Sequence, residues 1–124
     1  MTWEVEFTDE FAVWWDSLDH EQRDAVHFGV GLLEARGPQL PFPYSSGVAG
    51  SQHGHLRELR IQCHGEPYRV FYAFDPRRIA LLLIGGRKKG ADRFYESMVR
   101  WADQLYDQHL EDLQREDEHH GKKL

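Results

Sequence analysis

Leu56-Arg57-Glu58-Leu59-Arg60-Ile61, then Pro67-Tyr68-Arg69-Val70-Phe71-Tyr72, then Ile79-Ala80-Leu81-Leu82-Leu83-Ile84 running into Gly85-Gly86-Arg87-Lys88-Lys89, is the stretch that decides the fold. Short runs of aliphatic and aromatic residues broken by Gly, Pro and Asp read as three successive strands of an antiparallel meander. His64-Gly65-Glu66-Pro67 closes the first hairpin and Asp75-Pro76-Arg77-Arg78 the second. The strands interleave arginines with apolar residues, and a cation in a core-forming sheet costs desolvation unless a partner offsets it. A polyanion on that sheet face is the simplest partner, and phosphate the obvious group.

Upstream, Trp3-Glu4-Val5-Glu6-Phe7 alternates with the period of a half-buried strand. Thr8 reads as an N-cap, with Asp9 and Glu10 in a first turn where the helix dipole favours acids. Phe11, Trp14, Trp15 and Leu18 follow at helical spacing. Asp19 with Gln22 three residues on is a capping-box start for a second helix, which presents Val26, Val30 and Leu33 and stops at Gly37-Pro38. Residues 37–55 hold most of the turn-formers and read as a long surface loop. The strands are then expected at Leu56–Cys63, Tyr68–Phe74 and Ile79 to about Gly85. From Asp92, an expected N-cap, helical spacing returns through Phe94, Met98, Trp101, Leu105, Leu110 and Leu113, with Asp103, Asp107, Glu111 and Asp112 forming an acidic outer face. The expected order is β-α-α-β-β-β-α. It describes an α+β domain over residues 1–113, with a mainly antiparallel four-stranded sheet packed by an N-terminal helical hairpin and a C-terminal helix. Residues 114–124 lose apolar periodicity and read as a polar, fraying tail.

A chain of 124 residues with 40% hydrophobic and 29% charged content supports one core and not two ordinary domains. Neither a membrane-length apolar run nor a signal-peptide pattern is present, so a cytoplasmic location is the default. One cysteine, Cys63, cannot form an internal disulfide and reads as a small buried thiol. The net charge of −6 is unevenly divided: residues 57–100 carry ten Lys/Arg against five Asp/Glu, and the remainder five against sixteen. A local positive field therefore sits between acidic ends. His53-x-His55 lacks a Cys or acid at ligand spacing and reads as loop polarity. Trp14, Trp15 and Trp101 fit packing better than base stacking.

Glu58-Leu59-Arg60, the Tyr68-Arg69-Val70-Phe71-Tyr72 strand, the apolar run Ala80 to Ile84 and the Lys88-Lys89 pair after it resemble the RelE/ParE toxin superfamily of type II toxin–antitoxin systems. Within it, they resemble the HigB-like, phage Gp49-like branch. The resemblance spans roughly residues 1–113 and implies a ribosome-dependent endoribonuclease, an mRNA interferase that inhibits translation. That chemistry needs no metal or cofactor: a 2′-hydroxyl attacks the adjacent phosphate, one group takes its proton, cations stabilise the phosphorane, and the departing 5′-oxygen is helped to leave. The resemblance assigns Arg69 and Arg87 to phosphate and transition-state stabilisation, Tyr95 to proton transfer, and Arg60, Lys88, Lys89 and Arg57 to RNA binding. A tyrosine serves as base only where cations lower its pKa. Gly86-Arg87 departs from the glycine–aromatic pair more usual in the Gp49-like branch. The implied partners are an antitoxin with a helix-turn-helix DNA-binding domain, the ribosome and mRNA, with no membrane.

Each signal also has a plainer reading. Arg57, Arg60 and Glu58 could form a cross-strand ion-pair ladder, Arg69 could pair with a structural carboxylate, and Lys88-Lys89 could be a solvated turn. Two other functions stay open: a ParE-like gyrase poison, since one fold hosts either activity, and a catalytically weak regulator held by its antitoxin.

Overall fold

We describe the chain from a computed structural model that covers residues 2–122, without the side chains of Ala91 and residues 117–122. Strand β1 (Val5–Phe7) leads into α1 (Asp9–Asp16), where the Thr8 hydroxyl accepts the Phe11 N–H at 2.9 Å and caps the helix. Helix α2 (His20–Arg36) starts at the expected capping box: Gln22 N–H donates to Asp19 and Asp19 N–H to the Gln22 side chain, each at 2.8 Å. It stops at Gly37, whose φ of 56° and contact with the Trp3 ring leave no room for a side chain. The meander is β3 (Arg57–Cys63), β4 (Glu66–Phe74) and β5 (Ala80–Arg87). Its first hairpin is tighter than the sequence suggests. His64 and Gly65 alone form the turn, both with positive φ (53° and 77°), the two-residue geometry whose twist matches the flanking strands.

The sheet has five strands where four were expected, in the order β1-β5-β4-β3-β2. The additional strand, β2 (Ser45–Gly47), lies in the segment read as loop and pairs antiparallel with Arg57–Leu59 of β3. Ser-Ser-Gly carries no strand pattern of its own, and tertiary contacts hold it. The fully buried Ser45 hydroxyl lies 2.6 Å from Tyr72 Oη and accepts from Arg57 Nε at 3.0 Å. All pairings are antiparallel except β1 with β5, which is parallel.

Helices cover both faces. On one, α1 and α2 pack Phe11, Val26 and Leu33 against Leu59, Ile61, Val70, Tyr72 and Leu82. On the other, α3 (Ala91–Lys122) packs Val99, Ala102 and Tyr106 against Phe71, Ala73, Leu81 and Leu83. Gly85 lies under the Trp14 ring, which occupies the space a Cβ would need. Cys63 is half-buried beside the first core. Of the three tryptophans assigned to packing, Trp14 and Trp15 join a core, whereas Trp101 is 44% exposed. Helix α3 runs without a break through residue 114, where the polar tail was expected to begin; residues 123 and 124 of that tail lie outside the described residues. No helix among the described residues is long and apolar enough to cross a membrane.

Candidate active site

Arg69 sits on β4 directly opposite Arg60 of β3, and strand alternation turns both toward α3, on the side of Glu58 and Phe71. Two arginines facing each other repel unless an anion lies between them, and Glu58 supplies it. The Glu58 side chain is only 5% exposed and that of Arg69 only 4%, with 3.5 Å between Oε1 and Nε. Arg60 Nη1 donates to Glu58 Oε2 at 3.2 Å, and Ser46 Oγ donates to the same oxygen at 2.8 Å. Tyr95, near the start of α3, completes the cluster: its hydroxyl donates to Glu58 Oε1 at 2.6 Å and accepts from Arg69 Nε at 3.2 Å. Arg69 also donates from Nη1 to the Tyr68 carbonyl at 3.0 Å. No buried side-chain nitrogen or oxygen among the described residues lacks a hydrogen-bond partner. The arrangement is thus a fully satisfied polar cluster, the condition under which buried ions are tolerated.

Two guanidinium groups against one carboxylate leave one positive charge in surplus. Lys88 enlarges the field at the mouth, with its Nζ 5.6 Å from the centre of the Tyr95 ring, and exposed Lys89 follows. Burial raises the pKa of Tyr95, and the hydrogen bond to Glu58 raises it further, against a smaller lowering by Arg69. The phenol is therefore held protonated, and the condition on which a tyrosine acts as base is not met. In this cluster Glu58 accepts the hydrogen bond and Tyr95 donates it.

Two expected members lie elsewhere. Arg57 is three residues from Arg60, so it points to the opposite face, where it bonds Ser45. Arg87 is the cross-strand partner of Tyr68, a residue of the α1/α2 core, and donates to Glu66 at 2.9 Å. Gly86, one residue earlier, occupies the Arg69 face and lets Phe94 and Met98 approach the sheet. Glu58 is the member that sequence reasoning passed over as part of a surface ladder, although alternation already placed it on the face of Arg60.

The histidines and acids around α3 have structural work. Ser51 Oγ and Gln52 N–H donate to Asp103 at 2.6 and 2.8 Å, His53 Nε2 lies 2.7 Å from Asp107, and His55 Nε2 lies 3.1 Å from Tyr106 Oη. These contacts strap the loop after β2 along α3, and Asp103 is buried and not part of an outer acidic face. His64, in the hairpin turn, pairs with Glu21 of α2. At the β4–β5 turn, burial opposes ionisation of Asp75. Hydrogen bonds from His109, Arg77 and the Ile79 N–H outweigh it and hold its carboxyl below the usual range.

The family described as Phage derived protein Gp49-like (DUF891) matches residues 13–107. The putative toxin HigB2 of Mycobacterium tuberculosis H37Rv is 34% identical over 104 residues, covering 82% of this chain and 52% of that protein. The putative toxin HigB3 of the same organism is 37% identical over 92 residues, covering 73% of this chain and 79% of that protein. The chain thus spans about half the length of HigB2. Among solved structures, the archaeal RelE–RelB complex from Pyrococcus horikoshii OT3 aligns with a TM-score of 0.54 at 18% identity, over 73% of this chain and 100% of that one. The isolated E. coli RelE toxin aligns with a TM-score of 0.51 at 12% identity, over 79% and 97%. At such identities the likeness is one of fold.

Proposed function

The chain belongs to the phage-derived Gp49-like family and has a RelE-like fold, and from that premise we propose that it is the toxin of a type II toxin–antitoxin system, an endoribonuclease that cleaves mRNA on the ribosome. The observation that carries the reading is the cluster of Glu58, Arg69, Arg60 and Tyr95 on the face of the sheet against α3. It joins an anion that can take a proton to cations that can hold a phosphate, without need of a metal. Arg60, Lys88 and Lys89 hold the RNA backbone, and Arg69 supports the negative charge that develops on the phosphoryl oxygens as the 2′-oxygen attacks. Glu58 receives the proton of the 2′-hydroxyl as its oxygen bonds to phosphorus; the P–O5′ bond breaks, leaving a cyclic phosphate, and the departing 5′-oxygen takes a proton from Tyr95, which recovers one from Glu58 along their hydrogen bond. Arg87 sits outside this group and acts, in this reading, at the edge of the RNA path.

An antitoxin is the expected partner, and the HigB and RelE relatives support that expectation. A cytoplasmic site of action, where ribosome and mRNA are met, is part of this proposal.

The test is to add the purified chain to a translating ribosome system and map mRNA ends, with a Lys88→Ala/Lys89→Ala variant, changed only near the site mouth, and Tyr95→Phe as comparisons. Cuts at A-site codons that weaken in both variants support the reading. Intact mRNA with folded protein rejects it and turns attention to gyrase. A second reading, a catalytically silent regulator, draws on one observation: Glu58 and Tyr95 cover Arg69. It expects no cleavage and no toxicity on induction.

A further inference from the structure

We propose that the cleft between α2 and the open edge of β3 is a subsite for one nucleobase of single-stranded RNA, next to the phosphate held at the Arg60–Arg69 cluster. The inference rests on the proposed function and adds the part of the substrate that the basic cluster does not address. Strand β2 pairs only with Arg57–Leu59, and beyond it the Arg60 N–H is taken by the Tyr44 carbonyl at 2.9 Å. The same alternation turns the backbone of Gln62 outward along an edge that no strand among the described residues covers. A cleft of about 440 Å³ opens there, bordered by Phe28 and Leu32 of α2, Tyr44 of the preceding loop, and Arg60, Gln62 and Arg69 of the sheet. That volume is in the range that takes small ligands.

Its chemistry suits a base. Phe28 and Tyr44, 66% and 47% exposed, border the cleft, and Phe42, 69% exposed, lies at its rim against Arg60. Arg60 extends its guanidinium 5.2 Å from the centre of the Phe42 ring while an Nη holds Glu58. One side chain therefore joins the aromatic group to the phosphate cluster. Rings that expose their faces beside an arginine are the usual platform for unpaired bases, and the outward polar groups of Gln62 can meet a base edge. The cleft wall contains two arginines and no acid, unlike the apolar groove between β1, α1 and α2, which is walled by Asp16 and Glu34. Set against Glu58, which both arginines meet, this leaves one positive charge in surplus, which favours an anionic chain over a basic protein segment.

The test measures binding of the full chain to a fluorescent adenylate hexamer and to an abasic ribose-phosphate chain of equal length. The hexamer is expected to bind about tenfold more tightly than the abasic chain. Phe28→Ala/Phe42→Ala is expected to erase that advantage while leaving the abasic chain unaffected. Both side chains are exposed, so the variant keeps its fold, which thermal melting checks. Lys88→Ala/Lys89→Ala should weaken both oligomers alike. If it does so while the phenylalanine variant binds the hexamer normally, the RNA-cutting function stands and the base subsite falls, leaving the aromatic group to a protein partner. Equal binding of the two oligomers to wild type also overturns the subsite. An oligomer that binds nowhere on the chain removes it too, while end mapping on ribosomes still decides the function separately.

Discussion

Replacing Glu58 by glutamine keeps the shape of the side chain and removes the only anion in the buried cluster. Arg69, with a side chain 4% exposed, then has no counter-charge, and the new amide places an NH2 group among the donors Arg60, Ser46 and Tyr95. Breaking one partner out of a buried pair costs about 3–5 kcal/mol, a large share of the 5–15 kcal/mol, roughly, that holds a domain together. For a chain of this size the loss corresponds to a fall in Tm on the order of 10–20 °C. Arg60→Met is the internal comparison. That side chain is 30% exposed, so solvent can take over most of its work, and the expected loss is about 1 kcal/mol or less. Glu58→Gln combined with Arg69→Met should recover much of the single-variant loss, because the stranded charge is gone. Urea unfolding followed by circular dichroism measures all four proteins. A Glu58→Gln variant no less stable than Arg60→Met, or a double variant no more stable than Glu58→Gln alone, would refute the account of a charge-balanced cluster.

Three further outcomes follow from the geometry. In RNA binding by the full chain, Lys88→Ala/Lys89→Ala should reduce the slope of log affinity against log salt by about 1.4, because each lysine releases a fraction of a counterion from a single strand; an unchanged slope would place the phosphates elsewhere. Asp75 is more acidic folded than its unfolded value of 3.8, so it contributes stability above that pH which is lost as pH falls through the folded value. Asp75→Asn should therefore be less stable than wild type near neutrality and approach it in acid, as urea midpoints measured down to about pH 2 will show. Gly85→Ala places a methyl in the Trp14 ring and should cost about 1–3 kcal/mol, with Trp14→Leu in the same chain restoring part of the melting temperature.

Much of the fold was legible because its signals are local. Thr8, Asp19 with Gln22, and Gly37 mark helix ends through their own hydrogen bonds and dihedral angles, and those helices form where expected. Strand β2 was not legible, since Ser45–Gly47 is extended only through its partners on β3 and β4. At the site, Arg69, Arg60 and Lys88 converge near Tyr95, and the strand period separates the rest. Positions 58, 60 and, across the hairpin, 69 and 71 share a face, whereas 57 and 87 belong to the other. Applied to every charged residue, that period would have singled out Glu58. The partnership of Glu58 with Tyr95 was beyond reach of the sequence, because it depends on where α3 crosses the sheet. The acidic stripe of α3 misled for a related reason: the loop that straps the helix turns Asp103 inward, and no pattern along the helix encodes a loop fifty residues away.

Strand β4 sends Tyr68, Val70 and Tyr72 into one core and Phe71 and Ala73 into the other. Neither layer of helices can detach without stripping contacts from this one strand, so the two halves of the interior melt together. Amide hydrogens of Val70 to Ala73 should accordingly be the last to exchange with solvent, opening only when the whole molecule does. Arg69 is anchored at the head of that slow-exchanging segment. Tyr95 and Lys88 stand near the start of α3, and Phe42 and Tyr44 stand in a loop, where smaller excursions suffice. Of the cluster, Arg69 and Glu58 are thus fixed on central strands and Tyr95 on a helix end that can shift, so in the proposed reading an entering RNA chain displaces Tyr95 and Lys88 and leaves Arg69 in place.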